Sequence, residues 1–399
     1  MSGPAPISRP VYLDYAATTP VDPRVAAAMA QCLGPEGDFG NPASASHAYG
    51  DAAGARVETA RAQVAASVGA APAEVVWTSG ATEANNLAIF GVAQHYREQG
   101  RHIVTARTEH KAVLDPCREL ERRGWRVTYL APDSGGMIHP QQVAAALQAD
   151  TVLVSIMHVN NEIGVIHDIA GIGAVCARHG GARLHVDAAQ SVGKCAVDFA
   201  HLGADLMSLS AHKAYGPKGV GALLVSHRGL AKGASVQVTA LQFGGGQERG
   251  LRAGTVATHQ VVGMGLAFAL AEAERESETG RIARLRERLW RGLAPLGGVL
   301  RNGNENHTVP QLLNVSFEGV EGESLMAAVR GQLAVSAGSA CSSALQEPSY
   351  VLRALGRDDV LSESSLRFGL GRFTSERDID TAVEAVVQAV SRLRALSGA

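Results

Sequence analysis

The sequence predicts an α/β protein with a mostly parallel mixed sheet that helices flank on both faces. From Val25 to Val262, short apolar runs alternate with stretches whose apolar residues recur at helical spacing. The runs predicted as strands are Val75–Thr78, His102–Thr105, Val127–Leu130, Val152–Met157, Leu184–Val186 and Leu206–Ser208. Such alternation is typical of sheets that bind ligands at the carboxyl ends of their strands. The residues best suited to chemistry fall at those ends.

Length and composition predict more than one hydrophobic core. The chain has 399 residues, of which 46% are hydrophobic. We expect an N-terminal strap over residues 1–20, a large domain over residues 21–265 and a smaller α/β domain over residues 266–399. The charged helical stretch from Ala267 onward is expected to link the two domains, and the helix Asp378–Leu396 to end the smaller one.

Charge, hydropathy and cysteine usage exclude several classes of protein. The formal net charge of −2 gives no general attraction to nucleic acid or to anionic membranes. No apolar run reaches the roughly 20 residues that span a bilayer, and the first residues lack a basic region followed by an apolar one. We therefore expect a cytoplasmic protein that binds neither nucleic acid nor membranes directly. The five cysteines have no CxxC spacing, which argues against a disulfide framework or a structural zinc site.

A lysine and an aspartate form the first candidate pair. Lys213 follows an apolar run that ends at Ser210, and Asp187 follows the predicted strand Leu184–Val186. Pyridoxal phosphate needs a lysine that forms a Schiff base and an acid that keeps the pyridine nitrogen protonated. From these residues alone, a solvated lysine and an ordinary strand-end aspartate remain the alternative.

The run Val75–Asn86 offers a candidate phosphate site. An apolar strand is followed there by a turn of small residues and then by a helical pattern. Backbone N–H groups at the start of a helix suit a phosphate. Thr82 adds a hydroxyl, and Ser210 and His212 converge from the other segment. Many α/β turns look similar, so the turn alone is weak evidence for a phosphate site. The candidate lysine and aspartate, which fit the same cofactor, strengthen that interpretation.

His110 is a candidate for proton transfer. It lies in the run Thr108–Val113, which follows the predicted strand His102–Thr105. An imidazole at a strand end could stack on a cofactor ring and shuttle protons, because its unperturbed pKa is about 6.5. With 14 histidines in the chain, a surface or capping role is the alternative, and the setting alone favours His110.

These motifs, in this order, resemble the cysteine desulfurases of the class V aminotransferase family. The resemblance runs from Tyr12–Pro20 to Leu366–Thr374, and the chain is similar to the group that supplies iron–sulfur cluster assembly. It implies the fold type I of pyridoxal-phosphate-dependent transferases and a homodimer. It also implies that L-cysteine becomes L-alanine and that the sulfur passes to an iron–sulfur scaffold protein or another acceptor. Ala214 stands where a larger residue is usual, and Val225–Leu241 looks longer than in typical relatives.

The resemblance implies a role for each candidate around the cofactor ring. Lys213 would bind the cofactor covalently, and Asp187 would hold the pyridine nitrogen. His110 would stack on the ring, and Gln190 would contact its phenolic oxygen.

The phosphate and the substrate have their own implied ligands. The phosphate ligands within one subunit would be the Ala81 N–H, Thr82, Ser210 and His212. Thr255 would reach the phosphate of the neighbouring subunit. Asn161, which would also contact the cofactor, and Arg367 would bind the substrate carboxylate, a task that suits a planar guanidinium.

The loop Ser336–Ser343 separates a desulfurase from an ordinary aminotransferase. Its small polar residues pack poorly, so we expect a mobile loop that carries Cys341 to the site. As a thiolate, Cys341 would attack the substrate sulfur and keep it as a persulfide. A docked scaffold protein could share a transient iron–sulfur cluster with Cys341, which would then be a metal ligand. The remaining cysteines are predicted to be core residues: Cys32, Cys117, Cys176 and Cys195.

The resemblance implies an order of events. Lys213, displaced by the substrate, would remove the α-proton, Cys341 would then attack, and His110 would move protons. Two alternatives stay open at this point. One is a class V lyase or aminotransferase in which Cys341 is incidental, and the other is a cofactor-free scaffold within an iron–sulfur assembly complex.

Overall fold

The computed structural model describes residues 9–227, 235–337 and 348–398. The helices are α1 (Pro23–Ala30), α2 (Ala48–Ser67), α3 (Ala81–Tyr96), α4 (Lys111–Arg122), α5 (Pro140–Ala146), α6 (Ile169–His179), α7 (Thr258–Ala273), α8 (Arg275–Leu293), α9 (Gly322–Val329), α10 (Tyr350–Ala354), α11 (Asp359–Glu363) and α12 (Glu376–Ser397). The strands are β1 (Val11–Tyr12), β2 (Val75–Thr78), β3 (His102–Ala106), β4 (Arg126–Leu130), β5 (Thr151–Ser155), β6 (Arg183–Asp187), β7 (Leu206–Ser210), β8 (Gly221–Val225), β9 (Val299–Asn302), β10 (Leu312–Phe317), β11 (Leu333–Ala334), β12 (Ser336–Ala337) and β13 (Ser365–Gly369).

The larger sheet confirms the predicted architecture. Within the described ranges it has seven strands in the order β2-β8-β7-β6-β5-β3-β4. The strands from β7 to β4 are parallel, whereas β8 is antiparallel to both of its neighbours. Every residue of these strands is buried except in the edge strand β4. Burial on both faces is what near-continuous apolar strands predict.

Helices cover this sheet on both sides because successive strand residues point to opposite faces. Val75 and Trp77 pack with apolar residues of α2, α6 and α7, while Val76 between them packs with α3 and α4. The alternation within one strand therefore assigns the helices to two layers.

A second, antiparallel sheet lies in the C-terminal part, with strands in the order β12-β13-β10-β9. It buries its apolar residues against α8, α9 and α12. β1 pairs in parallel with β11, Val11 opposite Leu333, so the N-terminal residues contact this part of the chain. The helix predicted over Asp378–Leu396 lies within α12. The domain boundaries stay a prediction.

The topology gathers the candidate residues at one edge of the larger sheet. β6 ends at Asp187, β7 ends at Ser210 and is followed by a short 3-10 turn over Ala211–Lys213, and α3 begins at Ala81 shortly after β2. Parallel neighbouring strands present their carboxyl ends on the same side. In the part of the chain that the structure describes, no helix combines the length and the apolar character that crossing a bilayer requires.

Candidate active site

A cavity of about 470 Å³ opens at the carboxyl ends of the central strands. It is lined by all the predicted cofactor residues except Thr255: Ala81, Thr82, His110, Asn161, Asp187, Gln190, Ser210, His212 and Lys213. Residues from five separate stretches of sequence therefore meet at one site.

Two donors fix the buried carboxylate of Asp187. The Ala189 N–H donates to Oδ1 at 2.9 Å, and Nδ2 of Asn85 donates to Oδ2 at 2.8 Å. Asn85 is fully buried one helical turn after Ala81, so α3 helps to hold the acid at the end of β6. Our sequence reasoning missed Asn85. Its spacing from Ala81, which puts both residues on one face of the helix, is the signal that could have found it.

The protonation state of His110 follows from its place at the start of α4. Its Nδ1 accepts from the Ala112 N–H at 3.0 Å, which makes it the cap of that helix. A neutral ring in this position carries its proton on Nε2. Burial lowers the pKa of the His110 imidazole, and the charge of Lys213 lowers it further. His110 is therefore predominantly a neutral donor through Nε2.

The start of α3 keeps backbone donors for an anion. Gly80 precedes the helix with a φ of 150°, and no side chain caps its first turn. The Glu83 carboxylate instead accepts from the Ser79 N–H at 2.7 Å, one residue outside the helix. Exposed N–H groups at a helix start attract a phosphate.

His212 also lines the cavity. Its Nδ1 is 3.1 Å from Oγ1 of Thr18, and burial, followed by the charge of Lys213, lowers its pKa to about 4. The ring is therefore neutral at physiological pH. Thr18 lines the cavity as well, so this contact joins the N-terminal segment to the cavity wall.

Arg367 is a buried arginine with spare donors beside the cavity. Its Nη1 donates to the Asn161 carbonyl at 3.0 Å, and its Nη2 donates to Asp14 at 2.8 Å and to Ser336 at 3.1 Å. Among the described residues, its Nε has no partner, and neither has Oδ1 of Asn161. Buried polar atoms are rarely left unpaired, so this pair indicates a site for a small polar ligand.

Two buried carboxyl groups next to the site were also missed. Glu109 accepts from the Met157 N–H at 2.7 Å, and burial raises its pKa well above the ordinary value. Glu162 accepts from the Ser349 hydroxyl at 2.5 Å, and burial raises its pKa to about 7. They join the His110 and Asn161 segments to neighbouring parts of the chain.

The comparisons with known proteins decide the family. The sequence model of the class V aminotransferases matches residues 11–382. The chain belongs to the class V aminotransferase family. It is 57% identical over 388 residues to the cysteine desulfurase IscS of Proteus mirabilis, with 97% of this chain and 94% of that protein aligned.

Solved structures of related proteins support the same family and fold. A NifS-like protein, 33% identical, superposes with a TM-score of 0.88 over 96% of this chain and 100% of its own. SspA in complex with cysteine, 36% identical, gives a TM-score of 0.79 over 91% of this chain and 99% of its own. The predicted resemblance to cysteine desulfurases and the predicted fold type I are confirmed.

Two further predicted site residues of this class V aminotransferase are Thr255 and Cys341. Thr255 is exposed, on a segment that does not line the cavity. Cys341 lies outside the described residues. Across residues 9–227, 235–337 and 348–398, no cluster of three or more His, Cys, Asp or Glu side chains could hold a metal ion. Cys32, Cys117 and Cys176 are buried, as predicted, and Cys195 is partly buried.

Proposed function

We propose that this chain is a cysteine desulfurase that uses pyridoxal 5'-phosphate, releases L-alanine from L-cysteine and takes the sulfur onto Cys341. The observation that supports this most strongly is the shared cavity of Lys213, Asp187 and His110 at the strand ends. The named activity of the P. mirabilis relative and the cysteine complex of SspA support the same substrate.

The residues of the cavity fit pyridoxal 5'-phosphate. Lys213 would hold it covalently, Asp187 would pair with its pyridine nitrogen, and His110 would stack on its ring. The phosphate would lie at the start of α3, where N–H groups are left without a capping side chain. Its proposed ligands are the Ala81 N–H, Thr82, Ser210 and His212, with Thr255 from a neighbouring subunit. When bound, the cofactor supplies an electron sink for negative charge at the substrate Cα.

Arg367 and Asn161 would bind the substrate carboxylate. The carboxylate would take the donors of Arg367 that are left open and compete with Asp14 for Nη2. A planar guanidinium can offer two parallel N–H groups to a carboxylate, which fixes the orientation of the substrate. The Cα–H bond would thereby be held near Lys213.

The protein groups divide the proton transfers between them. Lys213, once displaced by the substrate, would take the proton from Cα. The Cys341 thiolate would attack the substrate sulfur, the Sγ–Cβ bond would break, and its electron pair would stay with Cβ. A proton delivered to Cβ completes the methyl group, and return of the proton from Lys213 to Cα completes alanine. His110 suits that delivery, since its neutral ring carries a proton on Nε2.

The sulfur acceptor and the assembly are part of the same proposal. We propose a cytoplasmic homodimer in which Thr255 of one subunit completes the phosphate site of the other. The persulfide of Cys341 would pass to an iron–sulfur scaffold protein. A transient iron–sulfur cluster shared by Cys341 and the docked scaffold belongs to this proposal as well.

Anaerobic turnover of L-cysteine tests the proposal, with alanine and sulfide measured beside the cofactor absorbance. Cys341→Ala should keep the absorbance and lose sulfide release by at least about 100-fold, since no other thiol is placed to attack. Cys32→Ala, a change at a buried cysteine in the turn that follows α1, is the matched control and should keep the parent activity. Equal turnover by Cys341→Ala would mean a lyase in which that thiol is incidental. A parent protein that binds no pyridoxal phosphate would overturn the cofactor assignment.

A further inference from the structure

Gln190 is a buried amide on the wall of the main cavity, and both ends of its side chain are engaged. Its Nε2 donates to the Ala16 carbonyl at 2.8 Å. Its Oε1 accepts from Nζ of Lys194. Lys194 itself does not line the main cavity, but it lines a smaller cavity together with Lys213.

These partners allow only one orientation of the Gln190 amide. A carbonyl oxygen only accepts hydrogen bonds, so the NH₂ group of the amide must face Ala16. Burial, followed by the charge of Lys213, lowers the pKa of Lys194 to about 7, and Nζ keeps N–H donors for Oε1 whether it is charged or neutral. With the amide turned around, its oxygen would face the Ala16 carbonyl and that buried hydrogen bond would be lost, which is unfavourable. The Ala16 carbonyl therefore fixes the orientation of the amide.

The fixed orientation leaves one N–H of Gln190 uncommitted. Nε2 carries two hydrogens, and Ala16 takes one of them. Oε1 already accepts from Lys194, and the deprotonated phenolic oxygen of a ligand in the main cavity has no hydrogen to donate to it. Towards that ligand, Gln190 acts as a donor.

We infer that Lys194 is a positioning residue for the cofactor: by holding Oε1 of Gln190, it keeps an N–H of that amide ready for the phenolic oxygen of pyridoxal phosphate. The inference rests on the proposed function and deepens it. Lys194 acts through Gln190 and needs no contact with the cofactor or the substrate. Without Lys194, Oε1 would be buried without a donor, and the Ala16 carbonyl alone would hold the amide, so its second N–H would be aimed less well.

The test is a pH titration of the holoenzyme absorbance together with the dissociation constant for pyridoxal 5'-phosphate. A donor at the phenolic oxygen favours its deprotonated form. In Lys194→Met, the apparent pKa of the absorbance change should rise by about one unit, and cofactor binding should weaken about 5- to 10-fold. Lys194→Arg keeps a donor and should recover at least half of both effects. Should the methionine variant not fold, Lys194→Gln, too short to reach Gln190, replaces it.

A double-mutant cycle tests whether the effect passes through Gln190. Gln190→Leu alone should reproduce both changes, and adding Lys194→Met should change them by less than about twofold. Arg97→Met removes an equal charge from an exposed position away from the main cavity and should shift the apparent pKa far less. Additive effects of the two substitutions, or an equal shift in Arg97→Met, would overturn the inference. If the parent shows a normal cofactor absorbance band and Lys194→Met leaves its titration unchanged, the inference about Lys194 is wrong while the proposed function stands. If the parent shows no cofactor band at all, the proposed function itself is wrong.

Discussion

The carboxylate of Asp187 owes its position to Asn85, a residue that has no chemistry of its own in the proposed reaction. A buried acid is useful at a cofactor nitrogen only when both of its oxygens are held. The Ala189 N–H holds one oxygen, and the Asn85 amide holds the other. Residues that hold a functional side chain in place, as Asn85 does, therefore affect how tightly the site binds its cofactor.

Asn85→Ala should weaken pyridoxal 5'-phosphate binding about tenfold. It leaves one oxygen of a buried carboxylate without its donor, and hydrogen bonds to charged groups contribute about 1.5–3 kcal/mol. Asn86→Ala is the matched control, because that side chain donates to the Thr82 carbonyl within the same helix and does not touch Asp187. The measurement is cofactor titration of the apoprotein by absorbance. Equal weakening by both substitutions would mean that α3 itself was disturbed.

Glu162 gives a prediction about pH. Its pKa is raised to about 7, chiefly by burial, while the Ser349 hydroxyl and the charge of Arg367 oppose the rise. A raised carboxyl pKa means that the native state binds more protons than the unfolded state between about pH 4.5 and 7. This group therefore favours folding below about pH 4.5 and loses that effect as the pH rises through 7.

Glu162→Gln should accordingly gain stability relative to the parent as the pH rises. The difference in the free energy of unfolding between about pH 5 and about pH 8 should approach 3 kcal/mol at most, in favour of the variant at the higher pH. Urea unfolding at both pH values measures it. Glu98→Gln, at a side chain that is 80% exposed, should show no such trend. A constant difference between parent and Glu162→Gln would contradict the prediction.

The sequence predicted the residues that line the cavity far better than the buried polar residues around them. Lys213, Asp187 and His110 were found because strand ends are visible in an apolar pattern. Glu109, Glu162 and Lys194 were not, since a buried polar side chain is recognised only by its partner. Glu109 and Met157 are 48 residues apart, and Glu162 and Ser349 are 187 apart, so no local pattern relates them.

At the scale of elements, six of the seven strands described in the larger sheet were predicted, but the buried strand β8 and the two-residue strands were not. The predicted strand Val75–Thr78 coincides with β2, and the one predicted over Val127–Leu130 is one residue shorter than β4. β2 is buried throughout, whereas the edge strand β4 is buried only at Leu130. β11 and β12 have two residues each, and hydrogen bonding to partners far along the chain defines them. Nothing in so short a sequence marks them as strands.

The close packing of β8 against the start of α3 gives a prediction at this scale. A Cβ on Gly221 would lie 2.4 Å from the Leu209 carbonyl oxygen and 2.7 Å from Cα of Gly80. Both are backbone atoms, so β8 or the turn before Ala81 would have to move. Gly221→Ala should lower the free energy of unfolding by about 2–3 kcal/mol and weaken cofactor binding, because the phosphate site begins at that turn.

Gly280 provides the control for this substitution. It lies within α8 with no atom near its Cβ position. Gly280→Ala should raise the free energy of unfolding by about 1 kcal/mol, the difference in helix propensity, and should leave cofactor binding unchanged. Thermal unfolding and cofactor titration of both variants would compare them. A Gly221→Ala protein with parent-like cofactor affinity would contradict the role given to the turn.

On the scale of the whole molecule, one arginine joins distant parts of the chain. Arg372, 10% exposed, pairs with Asp22 at the start of α1 and with Glu274 and Glu278 near the start of α8. Its guanidinium lies 4.4 Å from the ring centre of Tyr215, two residues after Lys213. Arg372, in the C-terminal part of the chain, therefore contacts the segment that follows Lys213.

Arg372→Met should lower the free energy of unfolding by about 1–3 kcal/mol, because Glu278 loses its partner while Asp22 and Glu274 keep Arg24. Arg288→Met is the control, since Arg288 is 47% exposed and its ion pairs with Asp380 and Glu376 should contribute less than about 1 kcal/mol. Urea unfolding measures both. Similar losses in the two variants would show that the network around Arg372 has no special weight.

The assembly is tested by a hybrid of two defective subunits. Phe243 is 82% exposed close to Thr255, and an exposed aromatic beside a proposed phosphate ligand favours contact with a second copy of the chain. If Thr255 of one subunit completes the site of the other, a hybrid of Lys213→Ala and Thr255→Ala subunits contains one intact site. Purified with two affinity tags, the hybrid should show about half the parent turnover at limiting cofactor, while each variant alone shows far less, because Lys213 and the partner's Thr255 meet again only in the hybrid. A hybrid no better than the mean of the two variants would mean that Thr255 acts within its own subunit or not at all.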